Sequence, residues 1–218
     1  MSIEDARTRP AVLLNPLEGD PTDADSHIGG PLLWPIDEPW PWCDGETHQP
    51  GSGGEPFVGA VQLYRSDFPE LPFPEGTDVL QVFLCTLHHD VPHARGPAVR
   101  LVWRDSTTVV ELIEEEPQPS AQVEAYVPTV NVLEPIRYAE RESKASGGTK
   151  IGGWTAWRQS APVEFPCPDC GAAQRQTLSL ATHEPSGDDV EWEFGRGGNL
   201  NVFTCPADVR HPISAHVG

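Results

Sequence analysis

The chain is read from two short stretches, "SHIGGPLLW" (residues 26–34) and "TKIGGWTAW" (149–157). Each has a small hydroxyl, a base, Ile-Gly-Gly, and a Trp four residues after the second Gly. Further matches follow in the same order. "PWC" ends at Cys43 and "FPC" at Cys167; "VFLC" ends at Cys85 and "VFTC" at Cys205. From Ile28 to Cys85 is 57 positions, and from Ile151 to Cys205 is 54. Landmarks in one order at nearly one spacing predict an internal duplication. The Gly-Gly pair is expected where backbone takes positive φ or approaches another strand closely. A phosphate loop is excluded, because no "GxxxxGK[ST]" follows.

Between these landmarks the sequence is rich in turns. The 20 Gly and 24 Pro are spread along all 218 residues, which favours short strands over long helices. "FVGAVQLY" (57–64), "DVLQVFLCTL" (78–87), "RQTLSLA" (175–181), "VEWEF" (190–194) and "NLNVFT" (199–204) read as strands. "VRLVWRD" (99–105) with "TTVVELI" (107–113) reads as a hairpin, and 121–133 as one more strand. Residues 134–146, "EPIRYAERESKAS", are the best helix candidate. The expected fold is α+β and β-rich: two related pseudo-repeat halves of mostly antiparallel sheet with few short helices. The expected organisation is an arm (1–25), a first half with a strand insertion (26–133), a connecting helix or linker (134–148) and a second half (149–218), packed as one unit.

Composition limits the function. The 33 acidic against 14 basic residues leave a net charge of −19, which repels nucleic acid and anionic membranes and favours a basic protein client. No apolar run approaches the ~20 residues that span a bilayer, and no signal-peptide core is present. The five cysteines are an odd number. A soluble, cytoplasmic protein with reduced thiols is the expectation.

"CPDCG" (167–171) reads as half of a zinc knuckle, and closed structural zinc sites take four Cys or His ligands. Cys167, Cys170 and Cys205 supply three ligands. His211 is the best fourth, with Asp208, His183 and His216 as weaker choices. In the first half, Cys43, His48, Cys85 and His88 or His89 form a second candidate set, with His93 nearby; the alternative is that Cys43 and Cys85 pack as small apolar residues. A structural role for the metal is expected. No "HExxH", "HxE…PCxxC" or "GxSxG" occurs, so no catalytic residues are assigned.

"SHIGGPLLW", "PFVGAVQLYRSDFP" and "GTDVLQVFLC" resemble the YwqG-like family of bacterial proteins and the wider TYPP group, which includes programmed cell death protein 2 and its yeast relatives. The resemblance covers about residues 26–90 and 149–212. Ser26, Ile28, Gly29, Gly30, Pro31 and Trp34 match the family's opening, with His27 where lysine is usual. Gln62 matches its strand glutamine, for which Gln176 or Gln174 is the counterpart in the second half. Glu46 stands where the first knuckle would have its second cysteine. The resemblance implies a two-half β-rich fold and a chaperone-like role toward a ribosomal protein, or an immunity-like role toward a toxin. The competing expectations are a zinc-dependent hydrolase and a regulatory or structural domain.

Overall fold

The computed structural model describes residues 7–44, 53–91, 94–120 and 124–218, and these form sixteen short strands. They are β1 (Thr8–Leu13), β2 (Pro16–Glu18), β3 (His27–Ile28), β4 (Trp42–Cys43), β5 (Glu55–Pro56), β6 (Val58–Tyr64), β7 (Val79–Leu84) and β8 (His89–Val91). Then come β9 (Ala94–Gly96), β10 (Val99–Arg104), β11 (Asn131–Leu133), β12 (Ile136–Arg141), β13 (Lys150–Gly152), β14 (Arg175–Ala181), β15 (Asn199–Thr204) and β16 (Ser214–Val217). All pairings are antiparallel. The helical content among the described residues is three 3-10 turns of three residues each.

Two six-stranded sheets dominate, in the orders β10-β7-β6-β3-β11-β2 and β16-β15-β14-β13-β1-β12. Position by position they match. Val61 faces Val82 and Leu178 faces Val202, and each of these pairs sits just past a bulge in its strand. The sheets share one core. Val61, Leu63, Leu80, Val82 and Leu84 from one meet Leu178, Leu180, Leu200, Val202 and Val217 from the other, at the alternating positions that a strand's pleat directs to one face. The opposite faces carry Phe83 and Phe203, and each is covered by the Trp of its own Ile-Gly-Gly segment. Ring centroids are 5.3 Å apart for Trp34–Phe83 and 6.1 Å for Trp157–Phe203.

One ribbon ties the sheets together. β1 and β2 run antiparallel to β12 and β11 in a single register: Thr8 faces Arg141, Leu13 faces Ile136, Pro16 faces Leu133 and Glu18 faces Asn131. The register survives the crossing between sheets, where Glu134 N donates to Asn15 O at 3.2 Å. Asn15 takes φ 49° there, a conformation that Asn tolerates better than most residues. β1 is inner in one sheet and continues into the outer β2 of the other; β11 and β12 do the reverse.

Several local expectations are therefore corrected. The 1–25 arm contains β1 and β2, which belong to the sheets. Residues 136–141 are a strand, not a helix. Of 107–113, only Leu112 makes a bridge, to Pro35, so the hairpin partner of β10 is β7 instead. Of the expected strand 121–133, residues 121–123 lie outside the described residues, and in 124–133 only β11 is a strand. "VEWEF" buries Val190, Trp192 and Phe194 but joins no sheet, because Glu191 has φ 64° and breaks the extended chain.

Each residue of the repeated motif has a task. Ser26 Oγ accepts from Tyr64 N at 2.9 Å, and Thr149 Oγ1 from Ala181 N at 3.0 Å, so the hydroxyl closes the end of the neighbouring strand. Gly29 and Gly152 have φ 67° and 65°; a Cβ on Gly29 would strike the Thr129 carbonyl. The base binds the carbonyl four residues on: His27 Nε2 to Pro31 O at 2.9 Å, and Lys150 Nζ to Trp154 O at 2.7 Å. Gln62 Oε1 accepts from Leu33 N at 2.8 Å, fixing the segment's backbone to the sheet. By register the counterpart of Gln62 is Ser179, neither Gln174 nor Gln176, since Gln62 faces His27 as Ser179 faces Lys150.

Lys150 and Glu140 are both fully buried, with Nζ 2.7 and 2.8 Å from the two carboxylate oxygens. Glu140 also accepts from Tyr138 Oη, Ser146 N and Trp154 N. Burial alone would raise its pKa, but these donors, Lys150 first, outweigh burial and hold it below the ordinary value. In the first half Pro21 packs on Gly30 as Glu140 packs on Gly153. Among the described residues no carboxylate hydrogen-bonds the base there, which is His27; burial lowers its pKa against the Pro31 carbonyl, Asp25 and Asp23. Lys150→Met strands a buried carboxylate and should cost about 3–5 kcal/mol of unfolding free energy in urea titration. A loss under about 1 kcal/mol would contradict a charged pair. His27→Lys, which buries a cation against Pro21, should also destabilise.

Candidate metal centre

Two clusters of metal-ligating side chains lie at equivalent places, each built from a hairpin before the sheet's β6 or β14 and the loop after its β7 or β15. Cys167, Cys170, Cys205 and His211 bring one ligand atom each within 4.8 Å of one another. Cys167 Sγ is 3.5 Å from His211 Nδ1, and Cys170 Sγ is 3.4 Å from Cys205 Sγ. A tetrahedral ion with metal–sulfur bonds of about 2.3 Å would hold sulfurs about 3.8 Å apart, so three thiols and an imidazole here fit a closed four-ligand site.

Local backbone makes the cluster. Gly171, at φ 73°, turns the chain so that its N–H bonds the Cys167 carbonyl at 2.8 Å and Cys167 N bonds Ala172 O at 2.8 Å. The Ala172 N–H points to the Cys170 sulfur, and those of Ala207 and Asp208 to the Cys205 sulfur. Burial pushes the Cys205 thiol up, but these N–H groups, Cys170 and His211 outweigh it and bring it down to about 6. The Cys205 and Cys167 sulfurs raise the His211 pKa. The sequence signal for these N–H···S contacts is the Pro after Cys167 and after Cys205, which starts each turn.

The remaining second-half candidates lie elsewhere. Asp208 accepts from Arg210, exposed His183 approaches Asp189 at 3.8 Å, and His216 packs on Trp157 and Phe165.

The first-half cluster is Cys43, Cys85 and His89, all buried. Cys43 Sγ is 3.7 Å from His89 Nε2. Of the expected alternatives His88 and His89, it is His89 that joins the cysteines; His88 Nδ1 meets Tyr126 Oη at 3.0 Å. His48 and His93 lie outside the described residues. Burial first, then Cys43 and Glu55, push the Cys85 thiol up to about 12 despite the Leu87 N–H beside it. Glu55, the strand partner of Cys43, is buried and bound by Ser120 Oγ at 2.6 Å and Ser120 N at 2.8 Å.

All five cysteines are free of disulfides. No helix among the described residues is long and apolar enough to cross a membrane. No protein-family model matches this chain, and a search of curated proteins finds no match.

Substituting single ligands separates the clusters. His211→Ala and His89→Ala should each lower the bound metal, read by elemental analysis of purified protein, by up to one equivalent per chain. His88→Ala should leave it unchanged. Equal losses from His88→Ala and His89→Ala would contradict the geometry.

Proposed function

We propose that this chain is a non-enzymatic, zinc-clamped β scaffold that binds a basic protein. The observation that carries the reading is the closed donor set of Cys167, Cys170, Cys205 and His211, together with a net charge of −19. Four protein ligands leave no position for a substrate or an activated water, which is the arrangement of structural rather than catalytic zinc. Thiolate and imidazole donors in a tetrahedral set suit zinc. Five cysteines without a disulfide support a cytoplasmic setting.

The sequence resemblance to the YwqG-like family and the TYPP group gives the partner its character: a ribosomal protein held chaperone-fashion, or a basic toxin neutralised. In either case opposite net charges speed encounter and fail in salt. The zinc-dependent hydrolase is disfavoured by the absence of an open ligand position in the second-half cluster. Glu184, an acid of the second half, accepts from Thr149 N at 3.0 Å.

Affinity capture of the tagged protein from its own cells at low salt, with bound proteins identified by mass spectrometry, tests the reading. The expected result is one stoichiometric basic protein that leaves at high salt. A salt-insensitive partner, or none, would contradict it. Cys170→Ser should lower thermal stability, whereas a folded, stable variant that has lost a hydrolytic activity would favour the enzyme.

A further inference from the structure

The two sheets end differently on the side away from the ribbon. Each terminal strand follows a cluster loop: β10 follows residues 86–98, and β16 follows 206–213. The longer loop folds into the β8–β9 hairpin, which lies against β16, the terminal strand of the other sheet. The shorter loop lies beside β10 but forms no strand. Between them is a groove of about 640 Å³, with Val99 through Trp103 on one wall and Val209, Pro212 and Ile213 on the other.

The groove runs along the strand's edge. Successive side chains of a strand point to opposite faces, so five consecutive residues can border one groove only where its backbone edge does. Among the described residues β10 has a strand partner on one side alone, β7. Cys85 N donates to Ala98 O at 2.9 Å, which sets the phase: residues 98, 100 and 102 bond β7, and the N–H and C=O groups of 99, 101 and 103 face the groove. Trp103 Nε1 is buried and finds no hydrogen-bond partner among the described residues. A buried indole N–H calls for an acceptor.

We infer that the open edge of β10 is a strand-addition site for an extended segment of a partner protein, with apolar side chains at alternate positions. The unpaired backbone groups of 99, 101 and 103 indicate the occupant; the β8–β9 hairpin lies near β16 without joining its sheet. A peptide backbone supplies what the edge lacks, alternating N–H and C=O groups and a carbonyl for Trp103 Nε1. Its apolar side chains would pack on Val209, Pro212 and Ile213. His211 sits in the same loop as that wall, so the metal cluster holds the wall in place. The inference rests on the protein-binding reading and adds to it the surface and the backbone form of the partner.

The probe is a phage-displayed library of random linear peptides, panned on the intact chain. Enriched peptides should alternate apolar residues and should protect the Leu101 and Trp103 backbone amides from hydrogen exchange, read by NMR. Trp103→Phe, which keeps the ring and removes the donor, should weaken a synthesised hit about fivefold to tenfold. Leu101→Pro removes an outward N–H, which an edge strand tolerates, and should abolish binding. Should Leu101→Pro fail to fold, Trp103→Phe and the amide protection still decide. No enrichment over bare support, or protection mapped to other strands, overturns the inference. So does a Leu101 amide already protected in a dimer of the free protein, which would give the edge to a second copy. A salt-sensitive basic partner captured equally well by Leu101→Pro would remove this site and leave the binding function standing. Salt-indifferent peptides at β10 would do the reverse.

Discussion

The rest of the structure hangs on one two-stranded ribbon. Residues 8–18 pair with 131–141 in an unbroken register, and each sheet is completed by one end of that ribbon. The second half cannot finish its sheet alone: it takes β1 from the chain's start and β12 from the connecting segment, whereas every strand of the first sheet lies between residues 16 and 133. Closing this pairing means bringing together segments more than a hundred residues apart. The loop-closure entropy grows only slowly with length, but such contacts form late and slow the folding of β-rich chains. The halves are thus one cooperative unit in spite of their repeated sequence.

Within that shared frame the halves differ chemically. The second keeps a charged solution at its Ile-Gly-Gly turn, Lys150 on Glu140 with four donors converging on one carboxylate. The first uses a neutral one, His27 beside Pro21. Both bind the carbonyl four residues on, so the geometry is preserved while the desolvation cost of a buried ion pair is removed from one side. The clusters diverge in the same way, with four ligands in the second half and three described in the first. So do the loops after Cys85 and Cys205, one a hairpin and one a turn. Function is most readily accommodated where symmetry is broken, and the groove along β10 is such a place.

What was legible in the sequence follows from local chemistry. The Ile-Gly-Gly segments, the central strands and the four second-half ligands are marked by residues whose type is dictated nearby: glycine at positive φ, alternating apolar side chains, paired cysteines. The ribbon was not legible, because its partners lie at opposite ends of the repeat. β12 reads as a helix since its one fully buried residue is Glu140; a strand whose inward side chain is a carboxylate has no apolar alternation to display. β1 looks like an arm because six residues of modest hydropathy mean little without their partner. The choice of His89 over His88 is a matter of strand phase, since adjacent residues point oppositely and only β8's register decides which one meets Cys43.

On this account the ribbon carries the fold and the metal clusters are local clamps that pin a hairpin and a loop to the end of each central strand. Hydrogen exchange on the metal-loaded and the chelator-treated protein tests that division directly. The account predicts that chelation exposes the amides of 167–172 and 206–213 while those of 8–18 and 131–141 keep their protection. Loss of protection along the ribbon at the same chelator concentration would mean that the metal, not the ribbon, holds the two sheets together.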